Sequence, residues 1–193
     1  MYHEFIHEFL SHEVHCRERK NKEKMMVVLE LKFNVVNKQN NEVYPGAVQR
    51  LFLRDLAYIN PKRWTFDWKE EISYPEHHVY KLIISGDNDI QGLISFTEVD
   101  DGEGYILVRY IESAPHNRGH NGEFRVAPVL LTYTCSKSFE KGYGGFVCIH
   151  IKLDETLIKY YESLGAVFIG NQRMILDTVA SQRLIQLYLY KGV

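Results

Sequence analysis

The residues between Glu112 and Ala127 are the ones best placed to do chemistry. A polar stretch with two glycines, Ser113–Arg125, leaves a β-branched run and enters an apolar helical pattern at Val126. A loop delivered to a helix N-terminus offers unpaired N–H groups and the positive end of the helix dipole, so it suits a phosphate. Arg118 and Arg125 supply guanidinium partners for the same anion. At the loop entrance, Glu112 is a proton acceptor if its alternation with Ile111 turns it toward a cleft. Facing water, it is an ordinary strand-end carboxylate. Tyr161 has the spacing to pack its ring with Leu157 and Leu164 along one helix face. Glu98 and His150 are alternative proton acceptors, although His150 between two isoleucines also reads as a plain strand residue. Cys148 has no partner in the pattern and reads as a small buried hydrophobe.

One sharper motif is set aside. His3-Glu4-Phe5-Ile6-His7 matches H-E-x-x-H, in which two imidazoles one helical turn apart bind zinc and the glutamate activates water. The His-Glu unit recurs as His7-Glu8 and His12-Glu13, a local polar pattern, and no third ligand has a distinctive place. No resident metal is expected.

These residues need a scaffold. Met25–Val36 alternates apolar and polar residues as a half-buried strand does. Gly46–Ala57 has helical spacing and stops before Asn60-Pro61. Trp64–His78 is aromatic and loop-like, with a short helix near Asp67–Ile72. Val79–Ile84 and Ile90–Val99 form a hairpin, and Tyr105–Glu112 follows as a third strand of the meander. Val126–Lys141 is a helix whose Pro128 is tolerated in the first turn, stopped by Gly142. Phe146–Ile151 is a strand. Asp154 caps a helix that ends at Gly165. Val167–Ile169 and Arg173–Leu176 are short strands around Gly170-Asn171, and Thr178–Tyr190 is a closing helix. Residues 1–24 stand apart as a helical, then basic, appendage, and residues 25–193 form the main domain.

The 193 residues carry a net charge of −2, and 45% of them are hydrophobic, which describes a globular protein with a real core. Nothing in that balance favours nucleic acid or an anionic membrane. No apolar run reaches about 18 residues, so no membrane span is expected. The His- and Glu-bearing N-terminus does not read as a signal peptide. Three cysteines without metal spacing fit reduced thiols, hence a cytoplasmic location.

The element order, and above all Leu157–Ala166 (LIKYYESLGA), resembles the GNAT superfamily of acyl-CoA-dependent N-acyltransferases, over roughly Met25 to Leu176. The decapeptide is similar to the family's helix ending Tyr-Glu-Lys-Leu-Gly-Phe. Asp154, seven residues before Tyr161, stands where many members carry Asn. The resemblance implies an α/β (α+β) fold: a single mixed, mostly antiparallel sheet flanked by helices and splayed between the fourth and fifth strands. It implies acetyl-CoA as donor, a primary amine as acceptor, and direct transfer in a ternary complex.

The family's acyl-CoA loop reads Gln/Arg-x-x-Gly-x-Gly/Ala. Counting back from the helix aligns Gly122, Glu123, Phe124, Arg125, Val126 and Ala127, with Arg125 in place of the first glycine. Counting from the loop start aligns His116–Asn121 instead. By the first register the resemblance assigns Gly122, Phe124, Arg125, Val126, Ala127, Arg118 and Asp154 to the cofactor. It assigns the backbone of Ile111, Glu112 and Ser113 to the acyl arm, Tyr161 to the leaving sulfur and Glu112 to the base. Trp64, Trp68 and Tyr74 fall where the family's acceptor pocket lies, or else form a flap packed on the sheet. The missing glycine motivates a second expectation, a GNAT-like interaction module without catalysis. The acceptor stays open among small amine, peptide N-terminus, lysine side chain and aminoacyl-tRNA, and so does a homodimer.

Overall fold

In the computed structural model the described residues are 31–190. The N-terminal appendage with its H-E-x-x-H stretch, and the beginning of the first expected strand, lie outside them. Eight strands form one sheet: β1 (Lys32–Val36), β2 (Val43–Arg50), β3 (His78–Ile84), β4 (Gly92–Val99), β5 (Tyr105–Ser113), β6 (Val147–His150), β7 (Val167–Gly170) and β8 (Arg173–Leu176). Their order across the sheet is β1-β2-β3-β4-β5-β6-β8-β7. Among the described strands, only β5 and β6 run parallel. The helices are α1 (Trp68–Glu71), α2 (Ala127–Glu140), α3 (Glu155–Ser163) and α4 (Thr178–Tyr188), with 3-10 turns at Leu53–Tyr58 and Pro115–Asn117.

The expected helix over residues 46–57 is a correction. Those residues supply the end of β2 and then a 3-10 turn. Gly46 pairs with Phe33 on one side and Ile84 on the other. A Cβ there would sit 2.5 Å from Val35 Cγ2, so the glycine allows β1 and β2 their close approach. Pairing on both edges outweighs the local helical spacing. The extra strand shifts the count by one, so the fourth and fifth strands of the expected order are β5 and β6.

Elsewhere the local rules hold. Phe33 and Val35 are fully buried on one side of β1, as alternation requires. Asp154 accepts from the Leu157 N–H at 2.9 Å and Asp177 from the Ala180 N–H at 2.8 Å, each capping its helix. Gly142 follows α2 with φ of +82°. Leu93 and Ile94, neighbours on β4, go to opposite faces. Ile94 joins the main core under α2 and α4, while Leu93 joins a smaller cluster with Trp64 and Trp68 under the segment 51–72.

Candidate active site

The site begins where β5 and β6 part. Their parallel pairing covers only Ile106, Leu107 and Val108 opposite Val147, Cys148 and Ile149. β5 continues to Ser113, so its last residues have no strand on that edge. Toward β4, the register shifts where Ser95 faces Tyr110 and Phe96 faces Val108, leaving Arg109 as the extra residue of a bulge. A bulge turns side chains and bends the strand, which opens a cleft.

Glu112, 7% exposed, sends its carboxylate to the 51–72 segment. It accepts from the Thr65 N–H at 2.6 Å, the Phe66 N–H at 3.4 Å and the Trp68 indole at 2.9 Å. Arg118 adds a charge-assisted bond to the same carboxylate, and its Nε donates to the Ser113 carbonyl. Both carboxylate oxygens are therefore engaged, and taking a substrate proton requires displacing a donor. The described contacts make Glu112 a strut between β5 and the flap, and Arg118 its counterion.

The loop is built on Asn117, 1% exposed. Its Nδ2 donates to the Gln91 carbonyl and Gln91 Oε1, and its Oδ1 accepts from the Phe124 N–H at 2.9 Å. Gly122 is closed in by this loop, since a Cβ would lie 2.2 Å from the Asn117 carbonyl oxygen. The Glu123 N–H donates to His116, and the Arg125 N–H to the Val36 carbonyl at 2.9 Å. Arg125 needs no left-handed backbone, as it is absent from the positive-φ residues. Three N–H groups of the expected cradle are thus spent inside the chain.

What remains at the N-terminus of α2 is positive charge. Lys38 donates to the carbonyls of Asn117 and Gly119 at 2.8 and 3.0 Å, leaving its third proton unassigned. Its pKa is lowered by burial and by the Arg125 guanidinium nearby. Two cations that disfavour each other at a helix N-terminus are relieved by an anion, so the residues present fit a diphosphate through charge. Val126 and Ala127 begin the helix, and Pro128 carries no N–H.

Tyr161, on α3, is 4% exposed and belongs to the main core with α2 and α4. Burial, and then the neighbouring Tyr160, push its hydroxyl well above the usual tyrosine pKa. The only fully buried side-chain polar atom lacking a hydrogen bond among the described residues is His77 Nδ1, so the Tyr161 hydroxyl is not sealed off. Glu112 and Tyr161 are not brought into contact, because one is tied to the flap and the other to the helical face. Asp154 caps α3. Phe124 packs edge-on against Tyr44. Ile111 borders the main core.

Of the three flap aromatics, Trp64 and Trp68 are core residues, 9% and 2% exposed, while Tyr74 lines a cavity of about 500 Å³. That cavity lies over the β5 bulge, with Glu71, His77 and Arg109 also in its wall. Glu71, 3% exposed, accepts from Ser95 Oγ and from Arg109 Nε at 3.0 Å. Lys38, Asn117 and Glu71 carry no local sequence signal; long-range pairing alone brings them here.

No protein-family model matches the chain, and neither does any curated protein. Solved structures do. Apo FdhC, a nucleotide-linked sugar GNAT, matches with a TM-score of 0.52 at 12% identity, over 81% of this chain and 94% of its own. A mutant of the spermidine N-acetyltransferase SpeG from Vibrio cholerae matches with a TM-score of 0.51 at 16% identity, over 70% and 95%. The AtaT–AtaR complex bound to DNA matches with a TM-score of 0.53 at 14% identity, over 72% and 99%. Identities this low establish the fold. It is the GNAT fold: a mostly antiparallel mixed sheet with one parallel pair, flanked by helices.

Proposed function

We propose that this chain is an acyl-CoA-dependent N-acyltransferase that uses acetyl-CoA and acylates a primary amine directly in a ternary complex. The observation that carries the reading is the parting of β5 from β6 after Val108, with the Arg109 bulge and a polar cavity beside it. Bound acetyl-CoA supplies an activated thioester. The open edge of β5 at Ile111–Ser113 holds an extended amide-bearing arm by backbone hydrogen bonds. Lys38, Arg125 and the N-terminus of α2 bind the diphosphate. Tyr161 holds a proton on Oη for the departing sulfur. Glu112 fixes the flap that walls the acceptor, a positioning role that its contacts support in place of the base role expected for it. A cytoplasmic location belongs to the same reading, with Cys135 and Cys148 as buried free thiols.

A specific observation favours a second reading, a GNAT-fold binding module without catalysis: the Glu123, Phe124 and Arg125 N–H groups are all engaged within the chain. One measurement separates the two. Under the transferase reading, acetyl-CoA raises the thermal midpoint, since a ligand selective for the native state stabilises it. At about a hundred times Kd the gain is roughly 2.7 kcal/mol. No shift at millimolar acetyl-CoA, with no thioester consumed across an amine panel, leaves the binding-module reading.

A further inference from the structure

The end of the sheet formed by β6, β8 and β7 has one face left open among the described residues. Leu107 on β5 pairs with Cys148 on β6, Cys148 with Ile175 on β8, and Ile175 with Val167 on β7. Residues directly opposite share a face, so these four form one apolar row. Their strand neighbours Val147, Ile149, Met174 and Leu176 are fully buried on the other face, in the main core with α2, α3 and α4. The cluster under the 51–72 segment draws on β3, β4 and β5 and takes nothing from β6, β7 or β8. The row is therefore exposed toward its β7 end. Val167 is 61% exposed and Ile169 51%. Ile169, Cys148 and Ile175 line a groove of about 430 Å³, and Cys148 at its floor belongs to neither core cluster. An open apolar face rimmed by charge marks an interaction surface.

The charges on the rim say what fits it. Asp101, Glu103 and Arg173 border the same groove. None of the three forms an ion pair among the described residues. The strand registers put them at opposite ends. Asp101 and Glu103 precede Tyr105, and the next residue, Ile106, pairs with Val147 at the start of β6. Arg173 pairs with His150 at the end of β6. A partner of one charge sign would match one end and be repelled at the other. A second copy of the same face matches both. A two-fold axis between the two faces and perpendicular to the strands reverses strand direction and keeps the apolar rows opposed. Each acidic end then meets the Arg173 end of the other copy.

We infer that two copies of this chain pack face to face through β6, β8 and β7. Val167 and Ile169 of each copy fill the space over the other's groove, as side chains do between stacked sheets. Arg173 of each copy faces the acidic pair of the other, which sets the orientation. The association does not rest on the transferase reading.

Sedimentation velocity on the full chain tests this. A dimer is expected at micromolar concentration. Val167→Lys/Ile169→Lys, at two exposed positions, should weaken it about tenfold or more. Leu187→Lys, 57% exposed on α4, is the control and leaves it unchanged. Charge exchange then tests the orientation. Arg173→Glu alone, and Asp101→Lys/Glu103→Lys alone, each place like charges across the interface and should weaken self-association about tenfold or more. Mixed together, the two variants restore opposite charges at both contacts and form a one-to-one heterodimer. A chain that stays monomeric to about 100 μM, where a specific interface of even modest affinity is filled, overturns the proposal. So does equal weakening by the control, or a mixture that gains nothing over the separate variants.

Discussion

At the scale of single residues, Glu112 and Tyr161 are told apart by what their polar atoms touch. The Glu112 carboxylate is gripped by three N–H donors and an arginine, whereas no described residue hydrogen-bonds the Tyr161 hydroxyl. The two conservative substitutions should therefore fail in different ways. Under the transferase reading, Tyr161→Phe keeps the buried ring and removes the proposed proton source, so turnover should fall by about a hundredfold with acetyl-CoA affinity and thermal midpoint nearly unchanged. Glu112→Gln removes the charge that satisfies Arg118 and turns an amide N–H toward other donors. It should cost about 2 kcal/mol, read as a drop of roughly 6 °C in the thermal midpoint. Parallel melting and initial-rate measurements decide it. Unchanged turnover in Tyr161→Phe takes that residue out of the acid role, and an unchanged midpoint in Glu112→Gln refutes the strut. Both residues stood out in the sequence by type and spacing. Their partners did not: Thr65 and Trp68 lie 47 and 44 positions from Glu112.

At the scale of elements, the β5–α2 loop shows why a glycine in a motif needs a structure to interpret it. In the register counted back from the helix, Gly122 stands where the motif has Gln or Arg, and Arg125 where it has Gly. The packing explains both. Gly122 lets the loop fold back on the Asn117 carbonyl, and the Arg125 backbone pairs with β1, which no side chain obstructs. Gly122→Ala should thus act on the fold. A Cβ 2.2 Å from a carbonyl oxygen forces the loop apart, costing about 2 kcal/mol and exposing the Phe124 and Glu123 amides. Hydrogen exchange should show those two amides losing protection while the amides of β3 and β4 keep theirs. Retained protection at Phe124 would contradict this account. The helices were legible because their signals are local: Asp154 as a cap, Gly142 as a stop. β2 was misread because Gly46–Ala57 has amphipathic spacing, and only pairing with β1 and β3 reveals the strand.

For the whole molecule, the meander of β3, β4 and β5 followed from alternation and turn residues, whereas the charge layout did not. Cations gather at the start of α2 and carboxylates over the β5 bulge, a separation hidden in a net charge of −2. The same burial that assembles one core around α2 also sets how stability responds to alkali. Burial, then the hydrogen bond with Tyr80, push the Tyr133 hydroxyl far up. Burial also raises Tyr161 and takes the Cys135 thiol to about 12. A tyrosine with a raised folded pKa keeps its proton in the native state, while the unfolded chain releases it near pH 10. The stabilisation is then complete below that pH and is lost as pH rises toward the folded values. The urea midpoint should accordingly stay level through about pH 9 as far as these tyrosines set it, then fall steeply above about pH 10. Tyrosinate absorbance should rise cooperatively together with the loss of helical circular dichroism. Tyr133→Phe, which removes the most deeply protected hydroxyl, should flatten the decline. A midpoint that holds constant to pH 11.5, or an equally steep decline in Tyr133→Phe, would mean that these hydroxyls ionise without unfolding the core that surrounds them.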